Sequence, residues 1–472
     1  MTTGHVAIVG GGFSGALLAV NLLRHDGPRA TLIERGSVAG EGVAYGAAHA
    51  AHLLNVRAGN MSAFPDEPDH FVRWLTEQGE AAGPQTFVPR RTYGRYLRSL
   101  LQRALLGCGG RLTLMQGDVV EVTQGAPACA MLADGRRVEA DAVVLAVGNL
   151  PPHTPVGSGP GPDLDALPPA RYVRDPWHPR EAGEEQAGRD WAGLDRTGRE
   201  RPGDVLILGT GLTMVDVVLR LAAEGFAGRI VAMSRRGLVP RAHGDAGGAG
   251  QVSGRLAERP TSPASGLVRM VRARAEAAGW RHAVDELRPF TQDMWRAAPA
   301  DERARFLRHL RPWWDVHRHR LAPEVAAKLA AMIADGRLRI VAGKLDAVDE
   351  RPDGLAVRWR ERGSSIAQAL TVQRIINCTG PQGDLLRTAD PLLRRLVDRG
   401  DIRPDDCRIG IDVDPQSRTV SRSGRENDWL LAIGPMTRGA FWEIVAVPDI
   451  RSQVWTLSRR LSHAQWVEGE GL

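Results

Sequence analysis

A chain of 472 residues is too long for a single hydrophobic core, so two or three domains are expected. Its 43% hydrophobic and 25% charged residues are ordinary for a globular protein, and no apolar run reaches the roughly 18 residues that a membrane span needs. The net charge of +6 comes from arginines spread along the chain, with no dense basic run; this argues against a nucleic-acid partner and for a mild attraction to anionic ligands.

Val6-Ala7-Ile8-Val9 reads as a buried parallel strand running into Gly10, Gly12 and Gly15 at the G-x-G-x-x-G spacing, and residues 16–23 continue as a helix. Gly10 permits the tight turn, Gly12 lets the backbone approach a pyrophosphate, and Gly15 lets the helix pack close to the strand. The free N–H groups of the helix start favour phosphate there. A second strand over 30–33 ends at Glu34, nineteen residues after Gly15, where an acid grips a ribose hydroxyl. Residues 42–46 and 52–64 mix glycine, aromatic, amide and apolar residues without helical period, which suits a loop covering a flat cofactor. A capped amphipathic helix is expected from Asp69 across Trp74 and Leu75, and another from about 90 to 106, with Arg90 and Arg91 at its first turn within reach of a phosphate. Short strands over 112–115, 118–122, 130–132 and 137–139 form a meander before a buried strand, 142–147, that ends at Gly148. The Pro- and Gly-rich run from 151 to about 169 reads as a linker.

Residues 204–216 repeat the opening with Gly209-Thr210-Gly211-Leu212, but Met214 stands where the third glycine is expected. The strand after its helix, 229–233, ends in Ser234-Arg235-Arg236 where an NAD site has an acid, which fits the 2′-phosphate of NADP. Glu34 in one site and Arg235 with Arg236 in the other assign FAD to the first and NADPH to the second. From 241 to 335 the chain is mostly helical. Phe306 and Leu310 share a helical face there, Pro312 breaks the run, and tryptophans are expected to pack the insertion on the sheets. His309, His317 and His319 lack the carboxylate spacing of a metal site, so none is assigned. Strands resume at 338–342, 355–359 and 372–377, the last expected to return the chain to the first domain. A final strand, 429–433, ends at Gly434 before a closing helix.

Cys108, Cys129, Cys378 and Cys407 contain no C-x-x-C pair, which excludes a disulfide-reductase centre of the usual type and implies a reducing compartment. With the first strand starting near residue 5 no leader is expected, and the expected location is cytoplasmic.

At Gly10–Gly15, Gly42–Tyr45, His52–Ser62, Gly209–Asp216, Ser234–Arg236, Arg311–Arg320, Asn377–Pro381, Gly434–Arg438 and Trp442-Glu443 the chain resembles a bacterial family of FAD/NAD(P)-binding proteins. That family lies among the two-dinucleotide-domain flavoproteins, with the flavin monooxygenases of the urate hydroxylase-like and N-hydroxylase-like kinds. The resemblance implies an α/β fold with two Rossmann-like dinucleotide-binding domains. The FAD domain is discontinuous (1–155 and 371–472), the NADPH domain (156–240 and 336–370) is inserted in it, and 241–335 is a helical insertion. It implies an oxidoreductase, most simply a monooxygenase that hydroxylates a small molecule with O₂ through a flavin C4a-hydroperoxide. The alternatives are a flavin reductase serving another acceptor and a non-enzymatic flavin-binding sensor. The cofactor contacts expected in the two sites include Gly10, Gly12, Phe13, Ser14, Gly15, Glu34, Arg35, Asn55, Met61, Arg91, Val119, Gly148, Gly380, Gly434 and Arg438. Those for NADPH include Gly209, Thr210, Gly211, Leu212, Ser234, Arg235 and Arg236. His243, Trp442 and Glu443 are the candidates for the catalytic centre. The wider pattern ends its last strand in Gly-Asp; Gly434-Pro435 departs from it and leaves the ribityl contact to the backbone or to another residue.

Overall fold

Each glycine-terminated strand becomes the centre of its own parallel sheet. The computed structural model describes residues 4–155, 163–177, 192–194, 200–244, 256 and 258–463. Of the linker expected from 151 to about 169, residues 156–162 lie outside the described residues. β1 (His5–Val9) lies between β2 (Arg29–Glu34) and β7 (Ala142–Leu145), parallel to both, with Val6, Ala7 and Ile8 fully buried. Cover on both faces explains why these strands are continuous apolar runs without alternation. α1 (Phe13–Arg24) joins β1 to β2 and is buried from Phe13 to Leu22. Each Ile or Leu fully buried in this way contributes about 1.5–3 kcal/mol.

Residues 35–89 leave the sheet after β2, with the short α2 (Gly42–Gly46) and α3 (His70–Glu77), before α4 (Arg90–Gly107) crosses over to β3 (Leu112–Gln116). Asp69 precedes α3, yet its carboxylate makes no cap and pairs with Arg73 one turn on. β4 (Val119–Thr123), β5 (Ala128–Leu132) and β6 (Arg137–Ala140) form an antiparallel meander, but the first of its four expected strands, β3, pairs parallel with β2 in the first sheet instead.

The second sheet repeats the first. Beyond β8 (Tyr172–Val173) and the small hairpin of β9 (Ala192–Leu194) and β10 (Glu200–Pro202) come β11 (Val205–Leu208), α5 (Leu212–Ala223) and β12 (Ile230–Ser234). Residues 235–322 leave the sheet after β12 and carry α6 (Ala264–Ala278), α7 (Trp280–Asp285), α8 (Thr291–Ala297), α9 (Ala300–Arg305) and α10 (Arg311–Arg318). α11 (Pro323–Ala334) then crosses over to β13 (Leu338–Arg351), which is parallel to β12. α11 was expected within the helical insertion, but its Val325, Leu329 and Met332 pack in the second core with Val205 and Leu338. β14 (Gly354–Glu361) and β15 (Ala367–Val372) extend β13 as antiparallel hairpins.

β16 (Arg374–Asn377) corrects the expected domain boundary. It pairs with β11 from Val205↔Arg374 to Leu208↔Asn377, so it completes the second sheet and does not return to the first. The order β3-β2-β1-β7 recurs as β13-β12-β11-β16, which makes β16 the counterpart of β7. The return comes later, through α12 (Pro391–Arg399), β17 (Arg418–Val420) and β18 (Glu426–Ala432), and β18 pairs with β7. α13 (Val447–Leu461) closes the chain against α1. Pro312 does not break its run either. A π turn over Phe306–Leu310 leads into α10, and Pro312 sits in that helix's first turn, where no N–H is needed.

Candidate functional site

Both glycine loops are built alike. Gly10 donates its N–H to the Ile33 carbonyl (2.8 Å) and Gly209 donates to the Met233 carbonyl (2.7 Å). Gly10 has φ +105° and Gly209 has φ +110°, and a Cβ at either would run into a carbonyl of the next strand's end, Ala146 or Cys378. Only glycine fits both demands. Gly15 has the same requirement, since its Cβ would overlap the Gly10 carbonyl. The second loop escapes that requirement: Met214 is fully buried in the second core.

What the loops leave free fits a dinucleotide. The N–H groups of Gly12, Phe13 and Ser14, and of Gly211, Leu212 and Thr213, find no acceptor among the described residues. A Cβ on Gly211, Gly148 or Gly380 would meet open space. Such unfilled cradles at helix starts suit pyrophosphate.

The ends of β2 and β12 set the two loops apart. Glu34 accepts from the Gly11 N–H (2.6 Å) and the Gly36 N–H (2.7 Å), which holds its carboxylate against the first loop. In the second, Ser234 Oγ bonds Thr210 Oγ1 (2.8 Å) and accepts from the Gly237 N–H (3.0 Å), while Thr210 Oγ1 donates to the Leu238 carbonyl (2.5 Å). The structure divides the expected pair of arginines. Arg235 is exposed with no partner among the described residues, whereas Arg236 donates to the carbonyls of His309 (2.8 Å) and Arg308 (3.3 Å). Arg236 is thereby committed to the insertion.

The two inserted stretches and the C-terminal segment meet around the first loop. Gly42 lies against Gly12, and Phe13 faces the rings of Tyr45 and Tyr93. A Cβ at Gly434 (φ +80°) would lie 2.5 Å from Ser14 Oγ, and the Gly434 N–H is held by Gln453 Oε1 (2.8 Å). His243 bonds the Asn55 carbonyl (2.9 Å) through Nε2, and Arg57 donates to the Gly244 carbonyl (2.8 Å). Burial pulls the His243 imidazole below its ordinary pKa. Trp442 stacks on Trp295 of α8 at 4.5 Å, and Trp295 donates to the Gly439 carbonyl (2.8 Å). Glu443 is buried at φ +67° and accepts from Trp314 Nε1 (2.5 Å) and Arg318 Nε (3.0 Å) of α10. A non-glycine residue held in that region costs about 1–3 kcal/mol, which these two bonds offset. Trp313, expected to pack like its neighbour, is 45% exposed. Arg438 has no partner among the described residues, and burial beside Arg311 lowers its guanidinium to about 10.

Residues 7–150 match the family described as FAD-NAD(P)-binding. No curated protein sequence is similar to the chain. Among solved structures, the ornithine N-hydroxylase of Kutzneria sp. 744 superposes with a TM-score of 0.62 at 15% identity, over 97% of this chain and 98% of its own. The L-lysine 6-monooxygenase of Pseudomonas syringae gives 0.64 at 15%, over 97% and 99%. The thioredoxin reductase of T. acidophilum gives 0.52 at 11%, over 97% of each chain. The fold is that of a flavoprotein with two dinucleotide-binding domains.

Several expected contacts have their side chains engaged within the protein. Arg35 pairs with Asp390 (3.1 Å) and Asp118 (3.5 Å), Arg91 donates to the Ala48 carbonyl (2.7 Å), and the side chains of Met61 and Val119 are buried in the cores. Any contact from Val119 to a ligand would be through its backbone.

The tie between the domains carries no motif in the sequence. Arg90 Nη1 pairs with Asp216 Oδ2 (2.8 Å), both nearly buried, and His52 Nε2 bonds the Asp216 carbonyl (2.9 Å). Burial raises the Asp216 carboxyl to about 6 against the pull of Arg90, and lowers His52 to about 4. The two connecting segments also pair, at Leu150↔Gln382, and Asn377 donates to the His153 carbonyl (3.0 Å).

Proposed function

We propose that this chain is an FAD-dependent, NADPH-reduced monooxygenase of a small molecule. The observation that carries the reading is the contrast between two loops of one design. The first ends against an acid, Glu34, suited to a ribose hydroxyl, and the second ends at an unpartnered cation, Arg235, suited to a 2′-phosphate. The first loop would hold FAD through the free N–H groups of Gly12–Ser14, and the second would hold NADPH through those of Gly211–Thr213. FAD, when bound, supplies the passage of electrons from NADPH to O₂.

The chain's own residues bind, orient and enclose. The Trp442–Trp295 stack and the Trp314–Glu443–Arg318 cluster draw the insertion onto the C-terminal segment, which shields the site from water. The ornithine and lysine hydroxylases superpose over their whole length and more closely than the thioredoxin reductase, and the C-x-x-C of a disulfide reductase is missing from the sequence. Both support an oxygenase, and they make amino acids with a free side-chain amine the first substrates to try. NADPH consumption in air is measured with and without such amines, with peroxide and product mass followed together. A product heavier by one oxygen, formed with substrate-stimulated NADPH use, is expected. Rapid NADPH use that yields only peroxide or a reduced acceptor, whatever amine is added, would overturn the oxygenase reading.

A further inference from the structure

The end of β12 faces more positive charge than Arg235 alone. Ser234 pairs in register with Ala342 of β13, and Arg362 donates its backbone N–H to the Ala342 carbonyl (2.8 Å). One residue further along, Arg235, Gly343 and Glu361 follow on the three neighbouring chain segments, and Lys344 stands opposite Arg360. Adjacent strands are about 4.8 Å apart, so the side chains of Arg235, Lys344 and Arg362 spring from backbone within about 10 Å. They line one depression of about 370 Å³, within the range of small-ligand sites, roughly 300–1,000 Å³.

Gly343 is among the residues that line it, and a side chain there would collide with Trp359 (2.7 Å). Arg360 is already neutralised by both carboxylate oxygens of Asp346, at 2.8 and 3.0 Å. The side chains of Arg235, Lys344 and Arg362 have no hydrogen-bond or ion-pair partner among the described residues; Lys344 feels the Asp346 carboxylate only at longer range, and the acid that lines the depression is Glu361. In a chain whose arginines are widely paired, three unpaired cations converging on one cavity form a site for a doubly charged anion.

We propose that the adenosine 2′-phosphate of NADPH is held by Arg235, Lys344 and Arg362 together, so that the β13–β14 hairpin completes the second dinucleotide site. The proposal rests on the NADPH reading above. A dinucleotide whose pyrophosphate lies on Gly211–Thr213 brings its adenosine ribose to the end of the next strand, at Ser234. A 2′-phosphate there carries about −1.5 to −2 charges. Arg236 is occupied by the insertion, and Lys344 takes the second cationic place that it leaves.

The test uses the full chain with adenosine 2′,5′-bisphosphate and AMP, which differ only in the 2′-phosphate. By calorimetry the unaltered protein binds the bisphosphate more tightly than AMP. Lys344→Ala and Arg362→Ala each weaken the bisphosphate about tenfold or more while AMP affinity stays the same, which also reports intact folding. The sequence holds only two lysines, Lys328 and Lys344. An amine-acetylating reagent read by peptide mass spectrometry therefore maps the site directly: the bisphosphate protects Lys344 and not Lys328, and AMP protects neither. If the unaltered protein prefers the bisphosphate but the variants bind it equally and Lys344 stays reactive, the hairpin has no part and the proposal is overturned alone. No preference for the bisphosphate in the unaltered protein removes the NADPH reading and this proposal with it.

Discussion

Replacing Arg90 by alanine strips the counter-ion from a carboxylate buried between the two domains. The Arg90 and Asp216 side chains are 13% and 7% exposed, so water cannot take over. Removing one partner of such a pair costs about 3–5 kcal/mol, and the lost Arg90 Nε bond to the Leu53 carbonyl (3.1 Å) adds about 1 kcal/mol. Because two domains need not unfold together, the effect is best read locally, from amide hydrogen exchange of peptides covering residues 48–57 and α5. A loss of 3 kcal/mol speeds exchange there by more than about a hundredfold. The pH dependence has a definite sign. The Asp216 carboxyl lies at about 6 in the folded chain, above its ordinary 3.8, so its contribution is complete below about 3.8 and is lost as pH rises through 6. Without Arg90 the folded value climbs further, and the variant weakens more steeply than the parent as pH rises. Arg90→Leu with Asp216→Leu should recover most of the loss, since neither charge is then stranded. Exchange in α5 faster by less than about fivefold in Arg90→Ala, or a double variant no better than the single, refutes the argument.

His52 titrates with the opposite sign. Held at about 4 against an ordinary 6.5, it stabilises the folded chain fully above 6.5 and loses about 3 kcal/mol on acidification towards 4. In the parent this loss is opposed by the gain from Asp216 over the same range; in His52→Gln only the gain remains, so local protection around α5 should rise on acidification relative to the parent, and an unchanged pH profile contradicts the assignment. Gly209→Ala meets both a positive φ and the Cys378 carbonyl and should destabilise the second domain by at least about 2 kcal/mol, seen as a lowered melting temperature. Gly211→Ala meets open space instead, so it should leave melting within about 0.5 kcal/mol while weakening NADPH binding measured by titration. Arg235→Ala should raise the KM for NADPH about tenfold with little change for NADH, whereas Arg236→Ala should leave the NADPH-to-NADH ratio untouched. Trp442→Ala removes the stack on Trp295 and should cost about 3–5 kcal/mol, visible as faster proteolysis within α8–α10.

Both glycine loops and their flanking strands were legible because the signals are local: a buried apolar run, a turn that only glycine makes, and a helix start. β15 and β17 escaped notice because β15 is mostly exposed and β17 is three residues long, which leaves no apolar period to read. The end of β13 was placed too early for a similar reason, since its second half is the base of a half-exposed hairpin. β16 was recognised as a strand but put in the wrong sheet; its likeness to β7 reflects an equivalent place in a repeated unit, and sequence alone gives no pairing partner. Arg90, His52 and Asp216 are far apart in the chain and carry no shared motif. Trp442 and Glu443 were singled out as chemistry-bearing, and the structure shows each side chain engaged with the insertion.

The position of the two inserted stretches has a consequence for how this protein can change. Residues 35–89 and 235–322 open at the same point of the repeated unit, after the second strand and before the crossover helix, and they touch at Asn55–His243 and Arg57–Gly244. Among the described residues neither supplies a strand to the sheets or a residue to either glycine turn. The scaffold that carries the two glycine loops and the stretches packed over it are therefore separable modules, with Arg235 and His52 at their joints. An exchange of both stretches as a matched pair, keeping Arg235 and the His52 bond to Asp216, would change the walls over the glycine loops while leaving the loops themselves intact; an exchange of one alone would break the seam between them.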